Sequence, residues 1–290
     1  MFGKLLKYEL KSQAKIILTI ITGIIVSGIF ITVLFNVDFR LTDGNIYQNR
    51  SGALEVFSII TTVSAMICIV VLSAAAVASI IILAHRFYKN LFSNEGYLTF
   101  TLPVSTNAQL MAKLISAIIW LILVFMALTV SVSVFFIFGT ACGNEIYSNY
   151  VVSALAELIS RIFDSAYIQI TIETIILCLI SLSFMLITIY FAITIGSIIS
   201  KKHKLLASAG VYMVTNLITQ IFQSIILFIG FNSYIDIYLY TDGAMTRYHY
   251  DKLYDTVSTV LISQCVLVTV LAVVCYITMK KLIDKKLNLP

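Results

Sequence analysis

Six long apolar runs constrain this chain more than any other feature of its sequence. They cover residues 16–37, 56–84, 114–141, 168–199, 205–231 and 257–279. A bilayer has a hydrocarbon core of about 30 Å, which a helix of about 20 apolar residues can cross, so each run is long enough to span it. Only 11% of the residues are charged and 60% are hydrophobic, whereas soluble domains average about 25% charged residues. The sequence therefore predicts an all-α polytopic protein of the lipid bilayer, with six transmembrane helices in one domain over residues 1–290.

The basic residues give these helices an expected orientation. If the six runs cross in alternation, 14 of the 19 Lys and Arg residues fall on one side, in residues 1–15, 85–113, 200–204 and 280–290. Basic residues near span ends are retained in the cytoplasm, so we expect a cell-membrane protein with both termini cytoplasmic. The first run is longer than the apolar part of a signal peptide, and we expect it to remain in the mature protein. The net charge of +5 follows from this topology, and a nucleic-acid partner, which needs a clustered basic face on a soluble fold, is not expected.

Residues 1–15 are predicted to form an interfacial helix ahead of the first span. Its apolar face consists of Phe2, Leu5, Leu6 and Leu10, and its basic face of Lys4, Lys7, Lys11 and Lys15. A helix of this kind lies in the headgroup plane with its lysines toward anionic lipid. The alternative is a solvated helix that carries the basic residues of a cytoplasmic terminus.

The sequence contains no recognisable catalytic or metal-binding pattern. A phosphate-binding loop needs G-x-x-x-x-G-K-[ST], but Gly3 and Lys4 form the one Gly–Lys pair and have no glycine upstream. The histidines lie on three different loops, at His85, His203 and His249, and none has a partner at the spacing of metal ligands. We therefore expect a chain that is not an enzyme and binds no cofactor or metal of its own.

Polar side chains inside the spans are few. Glu173 lies about five residues inside the fourth run, near the outer interface, and is the one candidate for an intramembrane acid that functions in ion coupling. The fifth run carries a stripe at helical spacing, formed by Asn216, Gln220, Gln223 and Ser224. Amides avoid lipid, so this stripe could line a translocation pathway or a subunit interface. Simple hydrogen bonding between helices would explain it equally well.

The cytoplasmic stretch 85–113 is the longest on its side of the membrane. Asn94, Glu95 and Gly96 form a turn signal, Pro103 disfavours helical backbone before it, and Ser105 or Thr106 can cap the helix that enters the third span. A short helix, a break and a second helix would give a compact protrusion that suits docking to a cytoplasmic partner.

This stretch resembles the membrane subunit of ABC-2-type exporters of Gram-positive bacteria. The similarity covers residues 94–120 and follows the pattern E-G-Y-L-x-x-T-L-P, with a lysine that opens the third span. The matching positions are Glu95, Gly96, Tyr97, Leu98, Thr101, Leu102, Pro103 and Lys113. The six spans and the basic N-terminal segment agree with that family but are much less specific.

The resemblance implies a transmembrane permease domain that exports a hydrophobic or amphipathic substrate, such as a peptide. ATP and Mg²⁺ would be bound by a separate cytoplasmic ABC ATPase, present in two copies, and a second, identical permease copy would complete the complex as a homodimer. Residues 85–113 would contribute the coupling helix that fits a groove of the ATPase. Two other functions stay open: an ion-coupled secondary transporter that depends on Glu173, and a non-transporting membrane subunit for sensing or assembly.

Overall fold

The computed structural model is all-helical over the part of the chain that it describes. It describes residues 2–41, 52–92, 105–141, 167–200, 203–239 and 247–286, together with a few residues of helix between 153 and 160. The six helices are α1 Phe2–Leu41, α2 Gly52–Phe92, α3 Thr106–Ala141, α4 Ile168–Ile199, α5 Lys204–Leu239 and α6 Arg247–Lys286. Within these residues all six are long and apolar enough to cross a membrane, which confirms the prediction of a multi-pass membrane protein.

The helix bounds show how the apolar runs differ from the helices that contain them. Helix α4 coincides with the predicted span 168–199, whereas the other five helices extend past their runs. Apolar composition marks only the part of a helix that lies in hydrocarbon, and nothing in the flanking sequence forces the helix to stop there. At α3 the predicted cap is confirmed, because the Ala108 backbone N–H lies 3.4 Å from Ser105 Oγ and 2.9 Å from Ser105 O.

The predicted interfacial segment and the first span form one continuous helix. Helix α1 runs from Phe2 to Leu41 without interruption, since no proline or other break separates residue 15 from residue 16. Within its first four turns the four lysines are exposed and the leucines are half-buried. The amphipathic pattern is therefore present, although the structure does not make it a separate element.

The contacts within the chain divide it into two compact units. The first comprises residues 3–83 and 119–162, and the second comprises residues 84–118 and 163–290. In the first unit α1 meets α3 closely at Gly28, where an added Cβ would lie 2.7 Å from Ser131 Cβ. The Ser131 hydroxyl donates a hydrogen bond of 3.2 Å to the Ile24 carbonyl. Absence of a side chain at residue 28 thus allows a polar bond between two apolar helices.

The second unit contains the largest helix-to-helix packing among the described residues. Helix α4 packs on both α5 and α6, and α5 also contacts α6. Residues 200–203 join α4 to α5, and the two helices approach so closely at Gly196 that an added Cβ would lie 2.6 Å from Ser208 Cα. The absence of a side chain at residue 196 allows this close approach.

Candidate functional site

The residues of the family pattern from Glu95 to Pro103 lie outside the described part of the chain, whereas Lys113 and the two flanks of the pattern are described. Residues 94–103, named the motif segment below, fall between the end of α2 at Phe92 and the start of α3 at Thr106. Both flanks belong to the second unit, together with α4, α5 and α6. The flanks therefore show what the motif segment is attached to.

The flank on α2 is anchored by an aromatic stack on α4. Phe87 is 2% exposed, and its ring stacks on that of Tyr190 with centroids 3.9 Å apart and an interplanar angle of 5°. Leu91, one turn further along the same face, is also buried. Aromatic pairs contribute about 0.5–1.5 kcal/mol beyond the area that they bury. The last two turns of α2 are thus held firmly against α4.

The flank on α3 is anchored to α6. The Tyr276 hydroxyl donates a hydrogen bond of 2.5 Å to Asn107 Oδ1, in the first turn of α3. In the next two turns Leu110 is fully buried, and Lys113, the basic residue of the family pattern, is only 5% exposed. The contact between Tyr276 and Asn107 could not be predicted from the sequence. The two residues are 169 positions apart, and only the folded chain brings them together.

The predicted polar stripe on α5 is only partly enclosed. The Asn216 amide donates to the Tyr212 carbonyl at 3.1 Å, and the Ser224 hydroxyl donates to the Gln220 carbonyl at 2.7 Å, both within α5. At Gln223 it is the backbone carbonyl that bonds to another helix, accepting from the Gln264 amide of α6 at 3.0 Å. Gln220 and Ser224 are exposed in the single chain.

Helix α5 as a whole is the least buried of the described helices. Among the 18 consecutive residues that are most apolar in each helix, 6% are buried in α5 and 28% are buried in α4. Large apolar side chains, including Phe222, Leu227 and Phe228, are about half or more exposed. An extensive face of α5 is thus free to contact lipid or another protein.

Glu173 is bonded through one of its two carboxylate oxygens. Oε1 accepts hydrogen bonds from Ser258 Oγ on α6 at 2.8 Å and from Gln169 Nε2 at 3.0 Å. Oε2 is buried and has no hydrogen-bond partner among the described residues. A buried carboxylate oxygen that lacks a hydrogen-bond donor costs free energy.

A cavity lies between α5 and α6 near the ends that the chain joins through residues 240–246. Its volume is about 520 Å³, and it is lined by Ile226, Ile229 and Gly230 of α5 and by Asp255, Thr256, Thr259, Val260 and Ser263 of α6. Sequence reasoning assigned no role to these residues. The available sequence signal is the acidic and tyrosine-rich stretch 232–256, although tyrosines at a membrane surface are common without any binding role.

The chemistry at these sites consists of hydrogen bonding, stacking and a small number of carboxylates. Over the described residues, no group of three His, Cys, Asp or Glu side chains lies together in a way that could hold a metal ion.

No protein-family model, no curated protein and no solved structure matches this chain.

Proposed function

We propose that this chain is the transmembrane permease subunit of an ATP-driven ABC exporter. The observation that carries the proposal is that the motif segment is attached at both ends to the helices of the second unit. Phe87 joins one flank to α4 through the ring of Tyr190, and Asn107 joins the other flank to α6 through Tyr276. Flanks that are held in this way could pass a displacement of the segment between them to α4 and α6.

The proposed mechanism begins with a movement of the partner ATPase. Glu95, Gly96, Tyr97, Leu98, Thr101, Leu102 and Pro103 of the motif segment would contact the ATPase, which holds ATP and Mg²⁺. Its dimerisation would displace the motif segment, and the two flanks would pass the movement to α4 and α6. Because these two helices pack on each other and on α5, they would move together. ATP can drive this change only by binding more tightly to one conformation of the complex than to the other.

The proposed assembly contains two ATPase copies and a second copy of this permease in the cell membrane, with both termini cytoplasmic. Helix α5 supports the pairing of permeases, because Gln220 and Ser224 are exposed among large apolar side chains. A polar group facing lipid costs several kcal/mol when it is unsatisfied. A second copy that packs on this face would cover the two side chains and complete either a subunit interface or a pathway.

The proposed substrate is hydrophobic or amphipathic, as a peptide can be. Few charges lie within the spans, and the described helices present mostly aliphatic and aromatic side chains. A pathway lined by such residues would stabilise apolar surface more than a highly charged solute.

Two measurements test the proposal. Affinity purification of the tagged protein from its native membrane in mild detergent should recover a P-loop ATPase in about equal amount. In proteoliposomes with that ATPase, Glu95→Ala and Tyr97→Ala should abolish transport while the protein still inserts and folds. The matched control is Tyr8→Ala, because Tyr8 is 72% exposed near the start of α1 and lies outside the motif segment. Recovery without an ATPase after gentle cross-linking, or normal export by both motif variants, would overturn the proposal.

One further observation favours ion-coupled transport as the second candidate. The buried Oε2 atom of Glu173, which has no described partner, is where a coupling proton or cation could bind. In that case transport would follow an ion gradient without ATP, and Glu173→Gln would abolish it. Transport that is insensitive to this substitution and to ionophores would exclude the second candidate. A stable partner with no substrate flux would instead indicate the sensing or assembly subunit.

A further inference from the structure

The cavity between α5 and α6 has the size and the mixed lining of a ligand site. Its volume of about 520 Å³ falls in the range of about 300–1,000 Å³ that small-molecule pockets occupy, and such pockets combine apolar walls with a few polar groups. All of its lining residues belong to the second unit. The cavity is thus a feature of one packed group of helices.

The lining combines a carboxylate at one end with hydroxyl groups and aliphatic side chains along the helices. On α6 it extends from Asp255 to Ser263, which corresponds to about 12 Å of helix at 1.5 Å per residue. Asp255 lies at the exposed end, next to the start of the span at Leu253. Ile226, Ile229 and Val260 supply aliphatic walls. A molecule with one polar end and one apolar end therefore matches the cavity.

A hydrogen bond joins the two helices next to the cavity lining. Gln264, adjacent to Ser263, is 7% exposed and donates from Nε2 to the Gln223 carbonyl at 3.0 Å. Gln223 lies one turn before Ile226 on α5.

A carboxylate, that of Asp255, lies at the open end of the cavity. The Asp255 carboxylate has no ion pair among the residues whose side chains the structure describes. Three residues further along α6, Ser258 donates to Glu173, so a second carboxylate lies at the same end of the helix pair. Glu173 Oε2 has no described hydrogen-bond donor. Two carboxylates at the margin of an apolar region attract a cation more strongly than they would in water.

We propose that this cavity binds a single-chain cationic amphipath, with its cationic head at Asp255 and its alkyl chain along Ile226, Ile229 and Val260. That this molecule is also a transported substrate rests on the proposed exporter function. Binding itself requires neither the ATPase nor ATP. A failure of transport and a failure of binding are therefore separate results.

The test measures equilibrium binding to the full chain in phosphatidylcholine nanodiscs. The probe is radiolabelled dodecyltrimethylammonium, the matched anionic probe is dodecyl sulfate, and empty nanodiscs give the amount that partitions into lipid. We expect saturable binding of the cationic probe at one site per chain and only lipid partitioning of the anionic probe. Asp255→Asn should weaken cationic binding about three- to fivefold, the range of a partly solvated ion pair.

Two other variants separate the site from general effects on the protein. Ser263→Phe places a ring in the inner part of the cavity and should abolish saturable binding, because the alkyl chain no longer fits. Asp284→Asn makes the same change of charge near the opposite end of α6 and should leave binding unchanged. Thermal unfolding of each variant shows whether it has folded.

Three results would overturn the proposal: no saturable binding, equal binding of the two probes, or cationic binding that persists in folded Ser263→Phe. If Asp255→Asn does not fold, the comparison of the two probes on the unaltered chain still decides the question. Saturable cationic binding in a chain that neither recruits an ATPase nor transports the probe would support the site and count against the exporter function.

Discussion

The close approach of α4 and α5 at Gly196 gives the sharpest test of the packing. In Gly196→Ala the new Cβ would lie 2.6 Å from Ser208 Cα, and still closer to the Ser208 backbone nitrogen and hydroxyl. Carbon atoms pack best at about 3.5–4.0 Å, so the helices would have to separate by about 1 Å at this point. Two of these three atoms belong to the backbone, and a change of rotamer at Ser208 would not relieve the contact.

The expected magnitude follows from two opposing effects. Overpacking of a closely packed site costs about 1–3 kcal/mol, whereas replacing glycine by alanine inside a helix gains about 0.8–1 kcal/mol in soluble helices. Gly210→Ala on α5 provides the control, because nothing lies within 4 Å of an added Cβ there. The free energy of unfolding should therefore be about 1–3 kcal/mol lower in Gly196→Ala than in Gly210→Ala.

The assay is unfolding of the purified protein in mixed micelles of increasing sodium dodecyl sulfate content, followed by circular dichroism. Ser208→Ala combined with Gly196→Ala should restore little, since the Ser208 backbone atoms remain in place. Equal stability of Gly196→Ala and Gly210→Ala would refute the reasoning. Full restoration by Ser208→Ala would show that the hydroxyl, not the backbone, sets the spacing.

Three other substitutions test contacts in the two units. Gly28→Ala should lower the free energy of unfolding by about 1–3 kcal/mol relative to Gly23→Ala in the same assay, because its Cβ would meet Ser131 Cβ at 2.7 Å, whereas nothing lies within 4 Å of a Cβ at residue 23; equal midpoints of the two variants would contradict this contact. Tyr276→Phe removes the hydrogen bond to Asn107 and should lower the free energy of unfolding by about 0.5–1.5 kcal/mol. If the coupling proposal holds, the ratio of substrate transported to ATP hydrolysed should also fall. An unaltered ratio would mean that this hydrogen bond is structural only. Gln264→Leu removes the hydrogen bond to the Gln223 carbonyl of α5. It should lower the free energy of unfolding by about 0.6–2 kcal/mol, measured as a lower unfolding midpoint. An unchanged midpoint would show that this hydrogen bond is absent in the membrane.

The number and type of the elements could be predicted from the sequence because they depend on local properties. Apolar runs of span length require helices, since only a helix or a closed barrel satisfies every backbone group in lipid. Ser105 was predicted as a possible cap of α3 for a similar reason, because capping involves only residues close in sequence. The extensions of α5 and α6 past their apolar runs were not predicted, since polar residues outside hydrocarbon carry no periodic signal.

The contacts that define the candidate sites depend on which helices become neighbours. Apolar helices in a membrane resemble one another in sequence, and small packing differences select their partners. The sequence by itself determined six membrane-length helices, the basic and apolar faces of the first segment, and a polar stripe along the fifth. Only the tertiary structure decided that Phe87 stacks on Tyr190, that Glu173 bonds to Ser258, and that α5 and α6 leave a cavity beside Asp255. The residues in these pairings are far apart in the chain, 85 positions in the case of Glu173 and Ser258, and no local property of the chain encodes them.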